Sequence, residues 1–297
     1  MRRLDSRTAA LAVVLLVLGA TAAWSQSRHA MRGMVLAVDR NGTGIVVSHD
    51  AVPGVMAAMT MPFEVRDPRE LAGVVPGMTV TFTLVLGDNG ALAERVRIER
   101  YATAEQDPLT ARRLRLLQNT AGGGRPESAS PPLAAGQMVP DVALLDQARR
   151  RVVLSQFRGQ VVVVNFIYTS CALPQFCFRV ANHFGVIQRR FKDRLRKDLT
   201  LVTVTFDPVR DQPETLAEYA RQWTADADGW RFLTGPVTEI QRMTSLFGVD
   251  AFPDEGLMNH SVRTALVDRQ GRLVANIEGN LHTAAQLGDL VHTALAR

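Results

Sequence analysis

The chain has 297 residues, 46% of them hydrophobic, with a mean hydropathy of +0.01 and a formal charge of +5. That balance belongs to a globular protein able to bury sizeable cores and excludes a chain disordered throughout. Only Lys192 and Lys197 of the 34 basic residues are lysines. An arginine bias spread along the whole length reads as composition, not as a nucleic-acid surface, so no nucleic-acid partner is expected. Runs such as Arg149-Arg150-Arg151 and Arg112-Arg113 read as solvated faces.

Residues 1–26 read as a signal peptide or N-terminal anchor. Arg2, Arg3 and Arg7 precede an apolar run at 8–23 and small residues at its exit, the layout of a secretory signal. At about 16 residues the run is shorter than the roughly 20 a bilayer span needs. Retention would make it a membrane tether. Either way the rest is expected outside the cytoplasm, in the periplasm or at the outer face of the inner membrane, where close cysteines are prone to pair.

Residues 30–101 carry a β pattern. Strands are expected at 34–39, 44–49, 61–66, 78–86 and 91–99, with Asn41-Gly42 as a hairpin turn. Five short strands in about 70 residues predict a small all-β barrel of the oligonucleotide/oligosaccharide-binding type. Within it lie His49, Met56 and Met59-Thr-Met61. On a strand, Met59 and Met61 share a face about 7 Å apart, so two thioethers can reach one soft ion, with His49 completing the site. Thioethers need no deprotonation and form no disulfides, which suits Cu(I) or Ag(I) in an oxidising space. The plainer alternative is methionines that merely face the barrel core. Residues 102–136 follow as a short helix at 109–118 and a flexible linker rich in Gly, Pro and Ser at 121–132.

From 137 to 297 strands and helices alternate. Strands are expected at 160–168, 199–206, 231–234, 262–268 and 272–278, and helices at 178–197, 213–225, 236–247 and 283–295. A β-α-β-α unit closed by a hairpin and a helix predicts an α/β thioredoxin-like domain. Its first strand is β-branched and apolar, and Cys171-Ala-Leu-Pro-Gln-Phe-Cys177 follows at the turn into a helix. A helix N-terminus favours thiolate, and thiolate is both nucleophile and metal ligand. Six positions along an α-helix turn by about 240°, pointing two sulfurs apart. They meet only if 172–176 is a non-helical loop, which Pro174 favours. The candidate third ligand is His260, in a loop just before the strand at 262–268; two sulfurs and an imidazole suit Cu(I). A loop histidine with no partner is the alternative. His183, His282 and His292 are expected on helices as surface or packing residues, Met258 is at most a weak alternate ligand, and Trp223 and Trp230 read as helix-end and loop packing.

Residues 137–297 resemble the Sco/SenC family of copper-delivery proteins through Val163-Val-Asn-Phe-Ile-Tyr-Thr-Ser-Cys171, Thr205-Phe-Asp-Pro-Val-Arg-Asp-Gln-Pro213, Asn259-His260-Ser261 and Leu266-Val-Asp-Arg-Gln-Gly271. The resemblance implies a thioredoxin fold, copper held by Cys171, Cys177 and His260 as Cu(I) or Cu(II), and Asp207 as an acidic residue near the site; the alternative for Asp207 is a structural one, capping the turn at Asp207-Pro208. The family usually has three residues between its cysteines, a proline after each, and Asp before its histidine; here there are five, then Ala172 and Phe178, and Asn259. The first domain is similar to the CusF-type copper- and silver-binding barrel, whose histidine and Met-Thr-Met ligands match His49, Met59 and Met61. Together these imply a metallochaperone, not an enzyme, that delivers Cu(I) to an apo-metalloprotein such as an oxidase subunit in Cu(A) assembly and is kept competent by a thiol reductant protein. The alternatives are a thiol-disulfide oxidoreductase or thioredoxin-type peroxidase, in which Cys171 attacks and Cys177 resolves, and a copper-resistance buffer.

Overall fold

The structure, a computed structural model, describes residues 27–87, 90–103, 106–112, 131–171, 174–254 and 257–297. The expected signal or anchor at 1–26, the second half of the helix expected at 109–118, and all but the end of the 121–132 linker lie outside them.

Five strands, β1 (Ser27–Val38), β2 (Gly44–His49), β3 (Met59–Val65), β4 (Thr79–Gly87) and β5 (Gly90–Arg100), close in the order β1-β2-β3-β5-β4. The expected barrel forms. Strand β1 starts at Ser27, ahead of the expected 34, because it pairs with β4 from Ser27↔Leu86 to Met34↔Thr79. Arg28 and Arg32 hide that strand from a hydrophobicity pattern; in the barrel they pair with Glu94 and Glu99 at 3.0 and 2.8 Å.

The second domain is a seven-stranded sheet in the order β14-β13-β8-β9-β10-β6-β7. Its strands are β6 (Leu144–Asp146), β7 (Arg151–Val152), β8 (Val161–Ile167), β9 (Leu199–Thr205), β10 (Trp230–Thr234), β13 (Arg263–Val267) and β14 (Leu273–Glu278). A separate ribbon joins β11 (Ala251–Asp254) to β12 (Leu257–His260). Helices α1 (Arg179–Arg190), α2 (Pro213–Gln222) and α4 (Ala284–Leu295) contribute to one core layer, and α3 (Val237–Phe247) to the other. Helices on both faces of a largely parallel centre give the expected thioredoxin-like domain.

Several local expectations are corrected. The hairpin β6–β7 is too short to show a period of two. At its centre Asp146 is fully buried, held by Arg150 and Arg231 at 2.8 and 2.7 Å, so Arg150 is not part of a merely solvated run. Trp230 is a core strand residue, fully buried and bonded to Thr203 Oγ1 at 2.9 Å, and not loop packing.

The two domains are docked. Met34 and Leu36 of β1 belong to the same buried cluster as Leu290 and Ala294 of α4. Ser48 Oγ donates to Asp289 at 2.7 Å, and the N–H of Glu278 to the carbonyl of Ala102 at 2.6 Å. Among the described residues, no helix is long and apolar enough to cross a membrane.

Gly77 lies at φ +92°, and a Cβ there would sit 2.9 Å from Ile277 Cγ1, across the junction. Gly73, at φ +77°, faces open space. Gly73→Ala is expected to cost about 1–2 kcal/mol from backbone strain alone. Gly77→Ala adds overpacking, for a total of about 2–4 kcal/mol. Urea midpoints of the two variants measure the difference; equal midpoints would show that the junction does not bear on folding.

Candidate metal centres

Every residue of β8 is buried. Val162, Val164 and Phe166 enter one core layer, and Val161 and Val163 the other, as a strand alternates. Covered on both faces, this strand can release the chain only at its end, and Cys171 lies there. The non-helical loop expected at 172–176 is, from Pro174, a π-helical turn (Pro174–Phe178) that contains Cys177 and runs into α1. An i→i+5 turn is wider than an α turn, and such turns recur at functional sites. The α-helical reason for the sulfurs to diverge does not apply to it.

The ligand atoms of Cys171, Cys177 and His260 all lie within 4.8 Å of one another. Three donors about 2.0–2.3 Å from one ion would stand about 3.5–4 Å apart, so the cluster needs at most small closing movements. Both cysteines are thiols here, not a disulfide. Cys177 is 3% exposed and packs within the core, yet its sulfur stands beside that of Cys171 and the imidazole of His260. Burial pushes the Cys177 thiol well up, against a backbone hydrogen bond from Tyr168 that lowers it. The proton therefore stays on until a cation replaces it.

His260 closes the β11–β12 ribbon, opposite Ala251, where a loop was expected. Its ring lies 4.6 Å from that of Phe206, 5.7 Å from Tyr168 and 6.4 Å from Phe176, a wall that limits its rotation. Nδ1 is 3.2 Å from the Ser261 carbonyl. As the donor of that bond, Nδ1 carries the hydrogen and Nε2 keeps the lone pair a metal needs. Burial lowers the His260 pKa, which keeps the ring neutral. Burial also pushes the neighbouring Tyr168 phenol up to about 12. The side chains of Met258 and Asn259 lie outside the described ones.

No spacing rule singles out Asp211 in the sequence. It is fully buried. It accepts the N–H and hydroxyl of Thr169 at 3.0 and 2.5 Å and the hydroxyl of Thr205 at 2.5 Å, tying the cysteine turn to the end of β9. Asp207 serves the adjacent turn instead. Its carbonyl accepts the Asp211 N–H at 2.9 Å, and its carboxylate meets Arg210 at 3.5 Å.

In the barrel, His49 and Met59 face each other across β2 and β3, and Met61 is opposite Val47. Cross-strand partners and residues two apart share a face, so all three converge at one end of the barrel. His49 is 2% exposed; Nδ1 contacts the Asp50 carbonyl at 2.7 Å and Nε2 is buried with no hydrogen-bond partner. Met61 packs partly on the core, as does Met56, but Met59 is 47% exposed and is no core methionine. An accessible thioether beside an unsatisfied imidazole nitrogen is a fitting donor set for a soft ion.

His183 is a packing residue on a helix, as expected, whereas His282 packs from outside one. His282 precedes α4, and its ring lies 5.2 Å from that of His183, both being buried. His292 is exposed on α4.

A family model described as SCO1/SenC matches residues 131–295, and one described as copper binding periplasmic protein CusF matches residues 28–98. The SCO1 protein homolog of Bacillus subtilis is 29% identical over 138 residues, covering 45% of this chain and 70% of that protein. The mitochondrial SCO2 homolog of Homo sapiens is 28% identical over 163 residues, covering 52% and 59%. Copper-bound ScoI of Arabidopsis thaliana aligns with a TM-score of 0.48 and 21% identity, over 54% of this chain and 100% of that one. The chain belongs to the SCO1/SenC family and is a copper-binding protein with a CusF copper-binding domain ahead of it.

Asp211→Ala strands one backbone and two hydroxyl donors and is expected to cost about 2–4 kcal/mol, read as a lower urea midpoint. Burial raises the carboxyl above its ordinary 3.8. The native protein therefore holds that proton more tightly than the unfolded chain, and stability falls as pH rises from 3.8 through the raised value. Asp211→Asn should remove that slope; an unchanged slope would assign it to another group.

Proposed function

We propose that this protein is an exported copper chaperone that captures Cu(I) in its barrel and holds and passes on copper from its thioredoxin-like domain. The observation that carries the reading is the convergence of Cys171, Cys177 and His260, from two distant parts of the chain, within 4.8 Å. Those three are the ligands of the delivery site, and His49, Met59 and Met61 are those of the capture site. The recipient is an apo-metalloprotein, and the family directs this to an oxidase subunit receiving its Cu(A) copper. A thiol reductant protein returns the cysteine pair to its ligand form. The protein works in the periplasm or at the outer face of the inner membrane, cleaved or tethered through its N-terminus.

The chemistry of transfer follows from the donors. A neutral His260 and a half-buried Cys171 can loosen in turn while an incoming ligand takes their place, so the ion is never bare. The thiol-disulfide reading is favoured only by the closeness of the sulfurs. Against it, Cys177 is sealed and its thiol is pushed up, which leaves little thiolate to work with.

Anaerobic Cu(I) titration of the reduced full chain against a competing chelator tests the proposal. Cys171→Ser and His260→Ala should each weaken one bound equivalent by more than about 100-fold, and Met59→Ala/Met61→Ala a different one, with the losses adding. A Cys171→Ser protein that holds as much Cu(I) as the wild type, while losing a thiol-disulfide turnover the wild type shows, would establish the oxidoreductase instead. The two equivalents should also differ in pH response. Affinity at the cysteine site should rise steeply between pH 6 and 8 because protons must leave. The thioether-rich site should be much flatter.

A further inference from the structure

The barrel site and the cysteine site share a chain but not a direction. Ser48 points out of the barrel, donating to Asp289 of α4 at 2.7 Å. Side chains alternate along a strand, so the next residue, His49, points the other way, into the barrel. It is 2% exposed, and its ring lies 6.3 Å from that of Phe63 in the barrel core. Met59 pairs with His49 from β3 on the same inner face. The β2–β3 hairpin therefore stands between the methionine site and the second domain. On the other side of the seam, Asp289 pairs with Arg190, the last residue of α1, at 2.6 Å. Cys177 lies ahead of the first residue of that helix, and twelve helical residues span about 18 Å.

Shared-ligand transfer needs donors of both sites on one ion, about 4 Å apart. No side-chain movement covers the length of a helix. Met34 and Leu36, 2% and 1% exposed in a core shared with Leu290 and Ala294, keep the domains from turning toward each other unless that core opens. We propose that Cu(I) crosses between two copies of this chain, the barrel mouth of one docking on the cysteine site of the other; this rests on the capture and delivery roles given above. Each mouth presents apolar side chains to solvent beside a soft donor. At the barrel, Met59 is 47% exposed, and Val55, at the tip of the turn closed by the Val52↔Met56 bridge, is 38% exposed. At the other site, Phe176 and Phe178 flank Cys177 and are 37% and 59% exposed. Val209, 74% exposed, stands in the turn that Asp211 ties to Thr169. The two surfaces differ, so the contact is head-to-tail, and a small one of this kind is transient. Only ligands are exchanged. Bonds from the ion to the thioethers and His49 break as bonds to Cys171, Cys177 and His260 form. The binding thiols release their protons to solvent, and copper stays Cu(I).

The test mixes two full-length variants anaerobically. Cys171→Ser carrying one Cu(I) is the donor, reduced copper-free Met59→Ala/Met61→Ala the acceptor, and the ultraviolet band of the new thiolate–Cu(I) bonds reports arrival. The transfer rate should rise in proportion to acceptor concentration. Phe178→Ser in the acceptor should slow it by at least about 10-fold while leaving its Cu(I) affinity unchanged. In the wild type, movement of Cu(I) from barrel to cysteines should likewise depend on protein concentration. A wild-type rate independent of concentration would overturn the proposal in favour of transfer within one chain. A mixing rate that ignores the acceptor would overturn it in favour of release and rebinding, and an unslowed Phe178→Ser would remove the docking face. A Cys171→Ser donor that holds no Cu(I) would instead overturn the capture role, and this proposal with it.

Discussion

One buried carboxylate governs the geometry at the end of the central strand. Asp211 binds Thr169, two residues before Cys171, and Thr205, at the end of the neighbouring strand. A charge-capable group is costly to bury, and three donated hydrogen bonds offset that cost only while the turn keeps its shape. The cysteine turn is thereby fastened to the sheet at a fixed point, and the wider π turn beyond it has a firm origin from which to carry Cys177 back toward Cys171. His260 arrives from the other side on a ribbon outside the main sheet.

Burial around this cluster sets its chemistry. It pushes the Cys177 thiol up and the His260 imidazole down, both toward neutrality. A site of neutral groups in an apolar wall has little use for a bare thiolate. It is suited to a cation that takes the place of the thiol protons, because the ion supplies the charge that water cannot reach to stabilise. The barrel end solves the same problem differently. Its thioethers carry no proton to displace, and the exposure of Met59 leaves that end open to exchange.

The docking of the barrel on the second domain changes the meaning of the linker. A flexible tether between free domains would raise the effective concentration of each site at the other. Here Met34 and Leu36 share a core with α4, and Ser48 is bonded to Asp289. Chain length alone does not govern the spacing of the sites; a packed junction takes part. That junction also braces the seam that brings His183 and His282 together.

Much of this was legible along the chain. Alternating strands and turn residues specified a five-stranded barrel, and the buried apolar runs with intervening helices specified a thioredoxin-like domain, because side-chain periodicity is a local property of each element. The cysteine pair, the Met-Thr-Met segment, His49 and His260 were identifiable as ligand types for the same reason: donor chemistry belongs to the residue itself. Other features depended on contacts between elements remote in sequence. Strand β1 lengthens because β4 lies beside it, and Asp146 and Asp211 are buried because distant groups satisfy them. The turn around Cys177 widens into a π form that no α or loop expectation contains, and two histidines ninety-nine positions apart meet in a seam. The sequence by itself determined the donors and the repeating elements; the tertiary structure alone decided which donors share a space, since distance and burial arise only when the layers close.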